Sequence, residues 1–452
     1  MEPLQVRTRV TTLQKEQEEE KTSLPLELPE PRSVEETGLS MGFLADLALK
    51  TIYFEGYLPG YKIAESMKLP FKGVVEHVLD FLKREKFCEI RGTTGGLGEM
   101  SYEYAITDKG GEKAREVMER SQYAGPAPVT LEAYSEAIRR QSIRQVVVNE
   151  QMVRKALSHL VITDKMINQI GPAVNSGRSI FLYGPPGNGK TTIAEAIGRI
   201  MLRGEMYIPY AVEVDGFIIK VFDEINHERV PEEEPEQTKK TNELGRPKHD
   251  RRWVKIIRPC IITGGELIME SLDLVFDTTS MYYEAPFQMK ANGGMFLIDD
   301  FGRQLIRPQD LLNRWIVPLE KRIDYLTLHT GRKIEIPFDE LIVFATNLEP
   351  KNLVDEAFMR RIRHKVYVGS PTLEEYREIF KRACKYKGIP YDEEILAYLL
   401  KEHYLKNRRE LRACHPRDIL DELVDIARFL GVPPILTKDL VDRACEVYFV
   451  EL

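Results

Sequence analysis

The residues best equipped for chemistry lie in the run Gly184-Pro185-Pro186-Gly187-Asn188-Gly189-Lys190-Thr191-Thr192. It has the pattern G-x-x-x-x-G-K-[ST], follows the apolar stretch SIFLY and precedes the helix-forming IAEAIGRIML. Between a strand and a helix, such glycines let backbone N–H groups curl around phosphates, and the helix N-terminus adds the positive end of its dipole. Lys190 is expected to reach the β- and γ-phosphates of a bound nucleoside triphosphate, ATP, and the Thr191 hydroxyl to hold Mg2+. A second apolar stretch, Met295–Ile298, ends in two carboxylates, Asp299 and Asp300. The first is expected to organise the metal and the second to polarise an attacking water. Asp300 is one methylene shorter than the Glu common at this place, which weakens its fit to that role. A third run, Leu341–Ala345, leads to Thr346-Asn347, where an amide can hydrogen-bond the γ-phosphate or the water.

These three loops can meet only if their strands lie side by side, which predicts a parallel α/β sheet over residues 161–370. After Pro371 the pattern is helical throughout, with helices expected at Leu373–Cys384, Glu393–Tyr404, Asp418–Phe429 and Lys438–Val447. Upstream, residues 41–121 read as three helices followed by two β-like runs, Phe87–Arg91 and Ser101–Thr107, around a Gly-rich turn, an order that resembles a winged helix. The second long helix is expected over Phe71–Lys86. Residues 122–160 open on AGPAP as a linker and then turn helical. Residues 1–40, with nine acidic and five basic residues, read as a flexible acidic tail.

The chain has 452 residues, 64 Lys+Arg against 71 Asp+Glu, a formal charge of −7 and 43% hydrophobic residues. That is the balance of a soluble globular protein of several domains. It contains no apolar run of membrane-spanning length, so no membrane insertion is expected, and the N-terminus lacks the apolar core of a secretory signal. A cytoplasmic protein is the resulting expectation. The five cysteines show no CxxC spacing, against both a disulfide framework and a zinc site.

The ordered set of motifs resembles the AAA+ ATPases over roughly residues 140–452. The resemblance implies ATP hydrolysis, a C-terminal helical lid and a homo-oligomer, usually a hexameric ring. It places sensor 1 on Asn347 and sensor 2 on Arg417, in His415-Pro416-Arg417-Asp418. It also implies an arginine that reaches a neighbouring subunit's nucleotide, within Asp355–Arg363; register favours Arg361, then Arg360. Tyr282–Pro286, Ala291–Asp299 and a hairpin pattern over Arg322–Pro337 resemble the branch holding enhancer-binding activators and MoxR-type chaperone ATPases. The activators' GAFTGA loop is absent. The whole chain resembles a bacterial group called "ATPases with chaperone activity", a label that says little about a substrate; a chaperone-like remodeller of a protein substrate or partner is the first expectation.

Two further expectations concern partners. Phe217–Phe222 and Trp253–Ile257 read as strands paired with each other, flanking a charged hairpin tip, while Tyr282 and Tyr283 are weighed as pore-lining grips and as packing residues. Residues 59–121 hold eleven basic and eleven acidic residues. DNA binders usually show a basic face, so protein docking is favoured there over DNA contact, and a DNA-associated ATPase or a slow nucleotide-switched scaffold stands as the alternative.

Overall fold

The computed structural model describes residues 26–95, 98–201, 204–231, 249–349, 353 and 359–449. Its centre is a five-stranded sheet made of β1 (Ser179–Tyr183), β2 (Cys260–Thr263), β3 (Met295–Ile298), β4 (Leu341–Thr346) and β5 (His364–Tyr367), in the order β2-β3-β4-β1-β5. All four pairings are parallel. The protein is therefore an α/β protein with a parallel P-loop sheet, as the motifs require. Such a sheet is covered on both faces, which explains strands that are apolar almost without interruption. Ile180, Leu182, Leu297 and Val343 pack under the helix α1 (Lys190–Met201), through Ile193, Ala194 and Ile197. On the opposite face Phe181, Phe296 and Phe344 surround Trp315, Phe301 and Phe338. The register Ile298↔Phe344↔Phe181 brings the carboxyl ends of β3, β4 and β1 level with one another.

The C-terminal helices form their own core. Helix α2 (Leu373–Lys387) starts in a capping box between Thr372 and Glu375 and buries Tyr376, Phe380 and Cys384. Those side chains meet Leu420 and Leu423 of α3 (His415–Leu430) and Val441 and Ala444 of α4 (Lys438–Tyr448).

The N-terminal unit contains helices Met41–Glu55, Gly60–Met67, Glu76–Arg84 and Asp108–Met118. They pack with an antiparallel sheet in which Tyr102–Ile106 lies between Tyr57–Pro59 and Cys88–Thr93. The helix expected from Phe71 becomes regular only at Glu76, because Lys72 is extended and Gly73 has φ 84°. A side chain at Gly73 would meet the Arg32 carbonyl at 2.2 Å, so this left-handed turn and close approach need glycine.

Three expectations are corrected here. Residues 26–40 are not a free tail: Val34, Thr37 and Leu39 are buried, and Leu26 and Leu28 pack on the core. Polar contacts hold the segment as well. Asp250 N–H donates to Leu28 O (2.8 Å), and Arg252, paired with Asp250, donates to Thr37 O (2.8 Å) and to Pro128 O in the following linker (3.1 Å). The linker is likewise docked, since Val129–Thr130 pairs with Ala211–Val214 as the edge of a second five-stranded sheet. The strands Phe217–Lys220 and Trp253–Ile257 do not pair with each other. The first lies between Ala211–Val214 and Tyr282–Glu284, and the second pairs with Glu205–Pro209. The charged tip between them falls largely outside the described residues.

Tyr283 is 1% exposed and accepts a hydrogen bond from His329 N–H (2.8 Å) at the tip of the Ile323–Pro337 hairpin; Tyr282 packs edge-on to Tyr123. Both are packing residues. Among the described residues no helix is long and apolar enough to cross a membrane.

Candidate functional site

The P-loop leaves β1 at Gly184 and enters α1 at Lys190. Gly184, Gly187 and Gly189 all have positive φ, of 145°, 77° and 80°. At Gly184 a Cβ would meet the Val368 carbonyl at 2.2 Å, and at Gly187 it would meet Cys414 Sγ at 2.6 Å. The loop is thus a backbone cradle closed from both sides, with Pro186 exposed at its tip. Lys190 is 6% exposed and donates to Gly184 O (3.0 Å) and Pro185 O (2.8 Å). Burial lowers its pKa, while Asp300 and Asp299 pull it back up. An ammonium held only by loop carbonyls, beside N–H groups at a helix start, is arranged for an anion.

The other two strand ends meet it. The Thr191 hydroxyl donates to Asp299 Oδ2 (2.8 Å), and Asp299 Oδ1 accepts from Asp300 N–H (3.0 Å). Asp300 takes a left-handed conformation, φ 47°, and its carboxylate accepts from Asn347 Nδ2 (2.9 Å). Such φ values are uncommon outside glycine but best tolerated by Asp and Asn. Gln304, not anticipated from sequence, donates to Asp299 O (2.7 Å) and fixes the turn. Among the described residues no group of three or more His, Cys, Asp or Glu could hold a metal ion. Thr191 and Asp299 do fit a Mg2+ ion that takes its remaining oxygens from phosphate and water, since that cation rarely uses an all-protein cage.

The helical unit closes the other side. Cys414 N–H donates to Gly187 O (2.8 Å), and Ala413 N–H to Asn188 Oδ1 (3.1 Å). Between the two units lies a cleft of about 830 Å³ lined by Gly187–Ile193, including Thr192, by Asp299, Asp300 and Asn347, and by Arg417. Its far wall is His159–Ile162, with Ile379, Arg382 and Tyr386 of α2, none of which belongs to a recognisable motif. Arg382 donates to Ser158 O (2.9 Å) and Leu160 O (3.1 Å), tying that wall to the helical unit. The wall is a short irregular apolar segment, so neither periodicity nor motif marks it.

Arg417 is paired with Asp418, at 2.8 Å and 2.9 Å. Arg361 donates to Glu320 Oε1 (2.6 Å), and both Arg360 and Arg361 stand outside this cleft. Most of the segment before them, from Asp355 to Phe358, lies outside the described residues.

Residues 372–447 match the family described as "Domain of unknown function (DUF8689)". No curated protein matches the chain. Among solved structures, the chain is similar to NtrX from Brucella abortus in complex with ADP, at 16% identity over 64% of this chain and 56% of that one, TM-score 0.38. It is similar to the RuvB P216G mutant of Thermotoga maritima at 14% identity, over 69% and 74% of the two chains, TM-score 0.34. Domain III of the Thermotoga maritima replication initiation protein DnaA gives 14% identity over 66% of this chain and 98% of that one, TM-score 0.38. The chain thus spans little more than half the length of the NtrX chain it matches.

Proposed function

We propose that this chain is an AAA+ type ATPase that binds ATP with Mg2+ and hydrolyses it in the cleft between the parallel sheet and the helical unit. The observation that carries the reading is the convergence of Lys190, Thr191, Asp299, Asp300, Asn347 and Arg417 around one cavity. These residues come from three strand ends and a separate helical unit. In this reading the P-loop N–H groups and Lys190 bind the phosphates, and Arg417 meets the γ-phosphate from the lid. Thr191 and Asp299 would hold Mg2+, which when bound neutralises phosphate charge. Asp300, oriented by Asn347, accepts the proton of the water that attacks the γ-phosphorus, and the bond to the β–γ bridging oxygen breaks to release ADP.

The finer part of the reading is a homo-oligomeric ring, with six as the expected number, that remodels a protein partner. Arg361, or Arg360 beside it, would then complete a neighbour's site. Arg361 donates through Nε to Glu320 of its own chain, an ion pair that a neighbour's phosphate would share or compete with on ring assembly. Lid movement against the sheet would be passed to the N-terminal unit through the second sheet and the docked segments around Arg252. Protein docking fits that unit better than DNA, because basic groups there are matched by acids, as in Lys83–Asp80 (2.7 Å) and Arg91–Glu89 (3.6 Å). Phosphate release from ATP by the wild type and Lys190→Ala tests the core reading. The wild type should turn over and the variant should not; equal rates would sink it.

A further inference from the structure

Arg417 points a long, 71% exposed side chain into the cleft, yet its guanidinium is not left to wander. Its Nε and Nη2 both meet Asp418 Oδ1, at 2.9 Å and 2.8 Å. The other carboxylate oxygen, Asp418 Oδ2, accepts from the Tyr448 hydroxyl at 3.0 Å. Tyr448 is the last residue of α4, thirty positions away in the chain. The same hydroxyl lies 3.8 Å from Cys414 Sγ, and the Cys414 N–H is the group that grips Gly187 O in the P-loop. Its ring packs edge-on to His415 and Phe449, with centroids at 5.5 Å and 5.0 Å. One phenol therefore sits behind the Asp418 that holds Arg417 and beside the Cys414 that grips the P-loop.

We propose that Tyr448 and Asp418 are positioning residues that preset Arg417 for the γ-phosphate, so that α4 sets how well the site distinguishes ATP from ADP. This rests on the reading of the cleft as an ATP site and of Arg417 as its γ-phosphate contact. A free arginine loses side-chain rotamer freedom when its guanidinium is fixed on a ligand, and one already held in place has less to lose. Asp418 takes two of the five guanidinium N–H donors and leaves three for phosphate. Asp418 alone could swing with the arginine; the Tyr448 bond from a different helix prevents that. Burial pushes the Tyr448 phenol well above its ordinary pKa, with Cys414 and Asp418 adding to the shift, so it remains a donor at any physiological pH. The Asp418 position in the first turn of α3 also suits the helix dipole, but a dipole contact needs no partner on α4.

The test uses the full chain and titrates a non-hydrolysable ATP analogue and ADP, each with Mg2+, into wild type, Arg417→Ala, Asp418→Asn and Tyr448→Phe. Tyr448→Phe removes one oxygen and keeps the ring. The ratio of ADP to analogue dissociation constants should fall about tenfold in Arg417→Ala and about three- to tenfold in the other two, with ADP affinity nearly unchanged. A merely structural role would weaken both ligands by the same factor, and that result overturns the proposal. Wild-type ratios in Tyr448→Phe and Asp418→Asn, beside a lowered ratio in Arg417→Ala, overturn it too. A wild-type ratio in Arg417→Ala removes its premise about that arginine, and failure of the wild type to bind either nucleotide removes the ATP reading beneath it.

Discussion

Two buried lysines, one in the cleft and one in the N-terminal unit, show what separates a site from a core. Lys190 and Lys50 are 6% and 3% exposed, and the hydrogen bonds of each go to backbone carbonyls: Lys190 to Gly184 and Pro185, Lys50 to Ser121 at 3.0 Å. Burial depresses both pKa values, and each has carboxylates that partly oppose the shift, Asp300 and Asp299 in the cleft and Asp46 beside Lys50. The difference lies in what surrounds them. Lys190 borders an open volume of about 830 Å³ with glycine N–H groups and a helix start around it. Lys50 is itself a buried residue of the helix Met41–Glu55, in a run with Leu47, Ala48, Leu49, Thr51 and Ile52. The desolvated cation costs stability in both places, but only in the cleft can a ligand's negative charge offset that cost.

Isosteric replacement at both positions is the sharpest way to break this comparison. Lys190→Met should reduce ATP turnover about 1,000-fold, through lost charge on the phosphates, while the fold survives. Lys50→Met should leave turnover near the wild-type value; a comparable loss there would erase the distinction. Next in size, Asp300→Ala should lower turnover about 100-fold while nucleotide affinity changes little, as for loss of a general base. An unchanged rate would move the base elsewhere and leave Asp300 as a partner of Asn347 alone.

A stability measurement sharpens the other half. The Lys50 pKa is pushed down from 10.5 to about 8. Below that value folded and unfolded chains both carry the charge, and its burial cost is fully present. Between about 8 and 10.5 the unfolded chain still holds a proton that the folded one has released, so wild-type stability rises with pH. Lys50→Met should therefore be more stable by about 1–3 kcal/mol at pH 7, an advantage that shrinks across that window in denaturant titrations. The smallest effect concerns the proposed ring. Mixing Arg361→Ala with Lys190→Met chains should recover a modest part of the lost turnover, because some interfaces then pair an intact P-loop with an intact arginine. Strictly additive activity would argue against a shared site.

Much of the cleft was legible because its chemistry is local in sequence. Asp299, Asp300 and Asn347 follow the ends of apolar runs, Lys190 and Thr191 close the glycine-rich loop that follows another, and a parallel sheet must bring such ends together. Arg417 was legible as a phosphate contact only through family resemblance, with an Arg417–Asp418 pair at the helix start as the alternative; the structure shows that pair and adds the distant Tyr448 behind it. What escaped depends on contacts between segments far apart in sequence. The segment 26–40 is poor in apolar residues and reads as a tail, yet Arg252 and Asp250, more than two hundred positions on, hold its backbone. The strands Phe217–Lys220 and Trp253–Ile257 were correct as strands but wrong as partners, since nothing in a half-buried apolar run names the strand it will pair with. The pairing of Arg361 with Glu320 crosses forty-one positions and leaves no mark in composition.

The most direct test of the central claim is an equilibrium titration of ATP with Mg2+ into the wild-type chain and into Lys190→Met, read by calorimetry. One saturable site per chain in the wild type, with affinity lost at least about 100-fold in the variant, is the result predicted for phosphates seated on the P-loop. No binding by the wild type, or equal affinity in both proteins, would contradict it.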